Sequence, residues 1–453
     1  MRWSFRGRSL RRRTVAVVGA CGVGVLAALA TILSGWVGGA TLAVATVLGV
    51  ALVACATVVV VDDLVRTLRA RVGVLRNDVE ALLDVLPEVN TTMELSGGHR
   101  PRVLLVTSNG AGMGHIVRCL AVGTALVDHA SYAVLTLSTA HETVRQAGFP
   151  VTYFPSVDAK DWGSATWNRA FGAYLAAVLV RNDIDLVVFD GTFVYRGITA
   201  SCRDAGVPLV WLRRGLWKDG SRRTQFDAPL AVADHVLVPA ELGEPDQQDE
   251  PWLTQVPAIT LASREGLLPR AQACRELGLE PTGRYVLVQV GHTTFDGQTS
   301  GVQAVVEAVH DCLPGMTPVV LVSPALSDAV LPVGAQCVVG RFPLAPFLSA
   351  FEVAVCAAGY NSVYECLEVG LPTVFIPYLH TRTDDQAERA ARAAALGVGL
   401  CASSLTDVRT ALGGVLDDDL RERLASRPAS TGAQQAAEAI CALAQRGADT
   451  ALV

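Results

Sequence analysis

The stretch from Ala357 to Ala390 reads AAGYNSVYECLEVGLPTVFIPYLHTRTDDQAERA and decides the fold. An apolar segment, Val353 to Cys356, leads into a small turn at Gly359, and a helical pattern follows at once. A second apolar segment, Thr373 to Ile376, precedes a polar loop. This order predicts one β-α-β unit of a parallel sheet. Because open α/β sheets bind ligands beyond the carboxyl ends of their strands, the polar residues here are predicted to bind a nucleotide.

The turn at Gly359 and the start of its helix suit an anion. Small residues let the backbone approach a phosphate, and the first helical N–H groups near Asn361 supply hydrogen-bond donors and a positive dipole end. Glu365, in the second turn of the helix, has the carboxylate needed to accept hydrogen bonds from ribose hydroxyls.

The spacing of this stretch resembles the donor-binding signature of GT-B glycosyltransferases, and most of all that of family 28. The matching positions are Gly359, Ser362, Glu365, Gly370, Pro372, Pro377 and Gln386. The resemblance implies that the donor is a nucleotide diphosphate sugar, UDP-linked. It also implies that Asp385 and Gln386 bind the hydroxyls of the sugar. An ordinary β-α-β unit with a glycine turn is the alternative, and the matched positions of Glu365 and Gln386 disfavour it.

The first half of the chain has a glycine-rich loop of its own. A strand from Val103 to Thr107 runs into SNGAGMGHIVR, residues 108–118. The spacing is G-x-G-x-G, and the second strand does not end in an acidic residue, which excludes a dinucleotide-binding fingerprint. The loop resembles the G-x-G-H-x-x-R loop of some GT-B proteins, which include nucleotide-sugar hydrolases as well as transferases. The matching residues, implied to face the acceptor, are Gly112, Gly114, His115 and Arg118.

Two residues are candidates for the catalytic base. His115 is the first, because the ordinary pKa of an imidazole lies near working pH; packing at a helix start is its alternative role. Asp190 ends a strand of the same half and is the rival base, or else a turn residue. Arg213 and Arg214 follow the next strand and are candidates to contact an anionic acceptor or a diphosphate.

A second phosphate-binding loop is predicted after the strand Val286 to Val290. The resemblance implies that the backbone of Gly291 and the hydroxyls of Thr293 and Thr294 bind the donor diphosphate, and that Phe342 lies in the nucleobase region. Neither a metal nor a cofactor is predicted, since the sequence has no D-x-D pair placed for a divalent ion. The resemblance also implies inversion at the anomeric carbon.

The amino-terminal region is predicted to be a transmembrane hairpin. Thr14 to Leu33 and Ala40 to Val61 are free of charge and long enough to cross a bilayer as helices. Arginines flank the pair on both outer sides, but the turn between the spans has neither Lys nor Arg, so both ends are placed in the cytoplasm of a cell-membrane protein. An exported protein with a cleaved or twin-arginine signal, and two buried core helices, are the alternatives.

A heptad pattern follows the second span. Apolar residues recur at spacings of 3 and 4 from Val65 to Leu86, which predicts either a homodimeric coiled coil through residues 65–86 or an amphipathic helix packed on the catalytic region. The predicted segments are 1–62 (basic tail and hairpin), 63–98 (stalk and linker), 99–260 (acceptor domain), 261–430 (donor domain) and 431–453 (carboxyl-terminal helix and tail). The predicted fold is α/β, with two Rossmann-like domains facing a cleft.

Composition restricts the function classes. Charged residues make up 18% of the 453, and the net charge of −6 gives no reason to expect a nucleic-acid partner. The eleven cysteines contain no C-x-x-C pair, so the sequence does not predict a zinc site. The same pattern indicates a protein of a reducing compartment. The predicted function is a membrane-anchored glycosyltransferase with a lipid-linked or glycan acceptor. A nucleotide-sugar hydrolase of the same fold and a non-catalytic GT-B binding module are the alternatives.

Overall fold

The structure is a computed structural model of the chain. It describes residues 39–85, 93, 95, 100–108, 113–159, 162–221, 224–245, 250–291, 294–295, 299–322, 332–339 and 341–450. The chain forms two units, Met1–Glu80 and Ala81–Val453.

The described part of the first unit is a single helix. Helix α1 spans Gly39–Val85 and would measure about 70 Å at 1.5 Å per residue. It includes the predicted second span and most of the heptad segment. Among the described residues, this is the one helix long and apolar enough to cross a membrane. The predicted span from Thr14 to Leu33 and the basic tail before it lie outside the described residues.

The first half of the second unit contains a seven-stranded sheet in which all neighbours pair in parallel, in the order β3-β2-β1-β4-β5-β6-β7. Its strands are β1 (Arg102–Thr107), β2 (Ser131–Thr136), β3 (Val151–Tyr153), β4 (Leu186–Asp190), β5 (Leu209–Leu212), β6 (His235–Pro239) and β7 (Leu253–Val256). Apolar clusters cover both faces, which is why the strands are almost continuously apolar in sequence.

The helices of this half are α2 (Gly114–Leu126), α3 (His141–Gln146), α4 (Ser164–Arg181) and α5 (Arg196–Ala205), with a 3-10 turn at Pro229–Ala231. Strands β1 and β4 are neighbours in the middle of the sheet, and Thr107 pairs with Asp190 in their register. The carboxyl end of β4 therefore lies beside the carboxyl end of β1, from which the chain continues towards α2.

The second half contains a six-stranded parallel sheet in the order β12-β11-β8-β13-β14-β15. Its strands are β8 (Tyr285–Gln289), β11 (Thr317–Val322), β12 (Gln336–Val339), β13 (Val353–Ala357), β14 (Thr373–Ile376) and β15 (Leu400–Cys401), and a small antiparallel hairpin is formed by β9 (Thr294–Phe295) and β10 (Thr299–Ser300). The helices are α6 (Arg270–Glu276), α7 (Gly301–Cys312), α8 (Tyr360–Val369), α9 (Gln386–Ala395), α10 (Leu405–Gly414), α11 (Asp418–Ala425) and α12 (Gly432–Thr450), with a 3-10 helix at Ala345–Ala350.

The last helix, α12, returns to the first half. Ala436 and Ile440 are buried in the same apolar cluster as Ile116 and Leu120 of α2. Two parallel sheets with helices around them confirm the predicted α/β class. The boundary between the halves, predicted at residues 260 and 261, stays a prediction; β7 ends before it and β8 begins after it.

Candidate active site

The two candidate bases form one hydrogen-bonded pair. His115 lies in the first turn of α2 and Asp190 at the end of β4, and the β1–β4 pairing brings these two positions together. Nδ1 of His115 lies 2.6 Å from Oδ1 of Asp190. The Asp190 side chain is fully buried, and that of His115 is 15% exposed. A carboxylate on Nδ1 fixes the tautomer of the ring and directs Nε2 away from the pair.

Arg118 holds the same carboxylate from one helical turn further along. Its Nε donates to Oδ2 of Asp190 at 2.7 Å, and its Nη2 donates to Oδ1 at 2.6 Å. Burial alone would raise the pKa of the Asp190 carboxyl, but Arg118 and His115 together hold that pKa below its usual value. Asp190 is therefore a fixed negative charge beneath the imidazole.

The first residue of α2 meets the start of α8 from the other half. Nδ2 of Asn361 donates to the main-chain oxygen of Gly114 at 3.1 Å. Gly359 is the N-cap of α8 and has an extended backbone. A Cβ on Gly359 would lie 3.9 Å from Nε2 of Gln386, so the turn and Gln386 are close neighbours. Gly112 lies outside the described residues.

Glu365 and Ser362 lie one turn apart on the less buried face of α8, while Val363, Cys366 and Leu367 pack into the core. Glu365 is half-buried, and the protein around it excludes enough water to raise the pKa of its carboxyl to about 7. Among the described residues, this carboxylate has neither an ion-pair partner nor a hydrogen-bond partner.

Gln386 and Asp385 begin α9 and are bonded to their own loop. Oε1 of Gln386 accepts from the backbone N–H of Tyr378 at 3.0 Å, and its Nε2 donates to Oδ2 of Asp384 at 3.3 Å. Oδ1 of Asp385 accepts from the backbone N–H of Glu388 at 3.0 Å and so caps the helix. The two side chains fix the polar loop between β14 and α9.

A buried ion cluster joins the two halves next to this loop, and the sequence did not reveal it. The Arg389 guanidinium donates to both carboxylate oxygens of Glu241, at 2.7 and 2.9 Å, and to Oδ1 of Asp384 at 2.9 Å. Arg214 pairs with Asp384 from the first half. The side chains of Arg389 and Glu241 are fully buried. One signal was available: Glu241 follows β6 at the same sheet edge as Asp190.

Burial and charge act in opposite directions within the cluster. Burial disfavours the charged form of Arg389, but Glu241 and Asp384 raise the pKa of its guanidinium well above the usual value. Burial likewise disfavours ionisation of Asp384, but Arg389 and Arg214 lower its pKa overall. The charged forms of Arg389 and Asp384 are therefore favoured, and two pairs of the cluster, Arg389 with Glu241 and Arg214 with Asp384, cross between the halves.

The backbone joins the halves at the same place. Trp217 forms an antiparallel bridge with Asp384. The N–H of Lys218 donates to the oxygen of Thr383 at 2.9 Å, and the N–H of Asp385 donates to the oxygen of Leu216 at 3.1 Å. The loop that precedes Gln386 is thus held by a segment of the first half.

The remaining predicted donor residues are partly described. Gly291 follows β8 with a φ of +61°, a conformation that favours glycine. Thr293 lies outside the described residues, and Thr294 is described only as backbone of the β9 hairpin strand. Phe342 packs against the apolar cluster of the first half. The described residues contain no group of three or more His, Cys, Asp or Glu that is arranged to hold a metal.

Comparison with known proteins identifies a domain and a fold. Residues 342–444 match the model of the glycosyltransferase family 28 C-terminal domain. The solved structure of the spinosyn forosaminyltransferase SpnP is similar, with a TM-score of 0.52 and 16% identity over 76% of this chain and 96% of that one. The glycotransferase of kitacinnamycin has a TM-score of 0.51 and 18% identity over 78% of this chain and 98% of that one.

The solved structure of Acinetobacter baumannii MurG, compared with this chain, has a TM-score of 0.49 and 14% identity over 75% of this chain and 99% of that one. No curated protein sequence matches the chain significantly. The domain match and the fold confirm the predicted resemblance to GT-B glycosyltransferases of the family 28 type and support a glycosyltransferase.

Proposed function

We propose that this chain is a membrane-anchored glycosyltransferase that moves a sugar from a nucleotide diphosphate sugar, UDP-linked, to a lipid-linked or glycan acceptor at the membrane surface. The observation on which this rests is the contact between two half-sites. The His115–Asp190 pair of one half lies beside the amino end of α8 of the other, and the bond from Asn361 to Gly114 joins them.

The donor is proposed to bind to the second half. The N–H groups at the start of α8 and the dipole of this helix face the diphosphate, with Gly359 allowing close approach. Glu365 accepts hydrogen bonds from the ribose hydroxyls, which gives a partner to a carboxylate that has none among the described residues. Gly291, Thr293 and Thr294 complete the phosphate site, and Phe342 lies towards the base. Gln386 and Asp385 hold the loop that faces the sugar.

The reaction is a single displacement. Nε2 of His115 takes the proton of the acceptor hydroxyl while the acceptor oxygen attacks the anomeric carbon. The bond from that carbon to the diphosphate oxygen breaks, and the nucleoside diphosphate leaves with inversion. Asp190 stabilises the imidazolium as it forms. Backbone N–H groups aimed at the leaving oxygens stabilise their developing charge, so this scheme does not require a metal ion.

The membrane anchor supports an acceptor at the bilayer surface. The apolar part of α1, up to Val61, would measure about 35 Å, enough to cross the hydrocarbon core. Its described side chains are largely exposed, with Val50 at 65% and Val58 at 67%. Two spans with the catalytic region in the cytoplasm are proposed from the arginines that flank them.

The proposed homodimer uses residues 65–86. Four apolar side chains of this seam are exposed on α1: Leu68 at 50%, Val72 at 64%, Leu75 at 64% and Val79 at 46%. An exposed apolar stripe of this spacing is stabilised when a second copy covers it.

Incubation of the full-length protein with radiolabelled UDP-sugars, with and without membranes, tests the proposal. Transfer predicts label in the lipid or glycan fraction only when membranes are present, and loss of that label in His115→Ala. A nucleotide-sugar hydrolase, which the loop of residues 108–118 also fits, would release free sugar whether or not membranes are added. Nucleotide-sugar binding without turnover would indicate a non-catalytic module.

A further inference from the structure

Tyr360 occupies an unusual position between the two halves. It is the first residue of α8, directly after Gly359, and is only 5% exposed. Its hydroxyl accepts a hydrogen bond from the backbone N–H of Ile259 at 3.0 Å. Ile259 lies between β7 and β8, where the chain passes from one half to the other. The ring is therefore fixed at the point where donor helix and crossover meet.

Two guanidinium groups lie over this ring. Cζ of Arg118 is 5.1 Å from the ring centroid, and Cζ of Arg389 is 5.8 Å from it. Both distances are within the range of cation–π attraction, which is stronger for desolvated cations. Arg118 is 2% exposed and Arg389 is fully buried. The contact with Arg118 crosses from the second half to the first, so α8 touches the group that holds Asp190.

We propose that Tyr360 is a positioning residue for the catalytic base, acting through Arg118 and Asp190 on His115. The proposal rests on the proposed function, because it assumes that His115 is the base. The aromatic ring holds the Arg118 guanidinium in the orientation that grips both oxygens of Asp190. Asp190 in turn fixes Nδ1 of His115. The donor-binding helix thereby helps to orient the base that lies on the acceptor side.

Other features of Tyr360 fit this role. Arg118 is three residues from His115 on α2, and its Nη2 lies 3.3 Å from the His115 ring nitrogen, so a rotation of the guanidinium would disturb the imidazole directly. Burial raises the pKa of the Tyr360 hydroxyl, which keeps the ring neutral. A neutral ring fixed by its hydroxyl acts as a rigid platform, which an aliphatic side chain of similar volume does not provide.

The first test does not depend on activity. Diethyl pyrocarbonate carbethoxylates neutral imidazole, and peptide mass spectrometry measures the rate at each histidine of the full-length protein. Tyr360→Leu is expected to raise the rate at His115 about fivefold, since the loss of the cation–π contact frees the Arg118–Asp190–His115 chain. Tyr360→Phe, which keeps the ring but loses the hydroxyl that fixes it, should raise the rate less than Tyr360→Leu does. His141, half-buried in the same half, should react equally in all proteins.

Equal rates at His115 in Tyr360→Leu and the wild type would overturn the proposal. Arg118→Lys serves as a second variant in case Tyr360→Leu does not fold. It keeps the positive charge but loses the bidentate hydrogen bonds to Asp190 and the stacking of a planar guanidinium on the Tyr360 ring. It should also raise the His115 rate, and an unchanged rate would again contradict the proposal.

The second test uses turnover. Tyr360→Leu should lower kcat about tenfold while the Kd for UDP, measured by calorimetry, stays within about twofold of the wild type. In a His115→Ala background the same substitution should cause no further fall, because the group it positions is gone. A further fall would show a merely structural role. If the wild type transfers no sugar, the proposed function fails, and the carbethoxylation rates still decide whether Tyr360 positions His115.

Discussion

At the residue scale, two carboxyl groups of the site differ in their partners and in their pKa values. Asp190 is held ionised by Arg118 and His115, and its pKa is lowered. Glu365 has no described partner, and burial raises its pKa to about 7. The first is a permanent charge that orients a base. The second is poised to gain its partner from a ligand.

The raised pKa of Glu365 predicts a pH-dependent donor affinity. Below pH 7 the carboxyl is mostly protonated and accepts ribose hydrogen bonds less well, so the Kd for a nucleotide sugar should fall as the pH rises from 6 to 8. Calorimetric titration at several pH values measures this. Glu365→Gln, which cannot ionise, should show a flat profile over that range; a slope equal to that of the wild type would exclude Glu365 as its source.

The same shift has a consequence for folding. Because the pKa of Glu365 is higher in the folded protein than in the unfolded chain, its contribution to the free energy of unfolding is fully present below pH 4.5 and is lost as the pH rises through about 7. The neutral variant Glu365→Gln should therefore be more stable than the wild type at pH 8. Thermal unfolding at pH 5 and pH 8 compares the wild type with Glu365→Gln. A difference between their unfolding midpoints that does not grow with pH would contradict the prediction.

His115 is the residue whose removal should affect chemistry rather than binding. His115→Ala is expected to lower turnover by roughly 100-fold, the usual contribution of a general base, with the Kd for the donor preserved. His141→Ala, which changes a half-buried histidine outside the site, is the matched control and should retain turnover. If His115→Ala loses donor binding as much as turnover, His115 is not the base.

At the scale of elements, α9 and the end of β6 are joined by charge. Arg389 of α9 and Glu241 after β6 are fully buried, so each depends on the other. Such a pair adds little over apolar packing, but removing one partner leaves a buried charge uncompensated. Part of the contact between the halves therefore depends on side chains that are far apart in sequence.

Arg389→Met should cost about 3–5 kcal/mol, because Glu241 and Asp384 lose their shared partner. The matched control is Arg409→Met, since Arg409 pairs with Asp311 at the surface and its loss should cost no more than about 1 kcal/mol. Differential scanning fluorimetry of both variants measures the unfolding midpoints. Equal midpoints would mean that the buried cluster does not stabilise the contact between the halves.

Most strands of the two parallel sheets could be predicted from the sequence, and the edge strands β7 and β15 could not. The central strands are buried on both faces and are continuously apolar, which marks them clearly. Strand β7 reads Leu-Thr-Gln-Val and is half-buried except at Val256, and β15 has only two residues. Neither pattern is long or apolar enough to be distinguished from a loop.

The site could be predicted only in part, for a related reason. His115 was recognisable after a glycine-rich loop and Asp190 at the end of a strand, but as rivals, because local sequence does not specify the pairing of β1 with β4. Glu241 follows a strand, but no neighbouring residue in the sequence marks it as part of an ion pair. Its burial makes sense only with Arg389, which lies 148 positions later. Contacts between the halves depend on how two domains pack, and no local pattern specifies that.

At the scale of the whole molecule, a long apolar helix precedes two α/β halves. The proposed orientation can be tested with two cysteines on α1. Cys55, within the proposed span, should not react with a membrane-impermeant maleimide in intact cells or in inverted vesicles. A cysteine placed by Arg76→Cys, beyond the span, should react in inverted vesicles only. Labelling of that cysteine in intact cells would reverse the proposed orientation, and labelling of Cys55 in both preparations would exclude the span.

The proposed nucleotide-sugar site lies at the amino end of α8 and depends on Glu365. Calorimetric titration of UDP-sugars into the full-length wild type and Glu365→Ala tests it most directly. The loss of a charge-assisted hydrogen bond, about 2 kcal/mol, should weaken binding about 30-fold in the variant. Equal affinity in both proteins, or binding of nucleotide sugars by neither, would contradict the account.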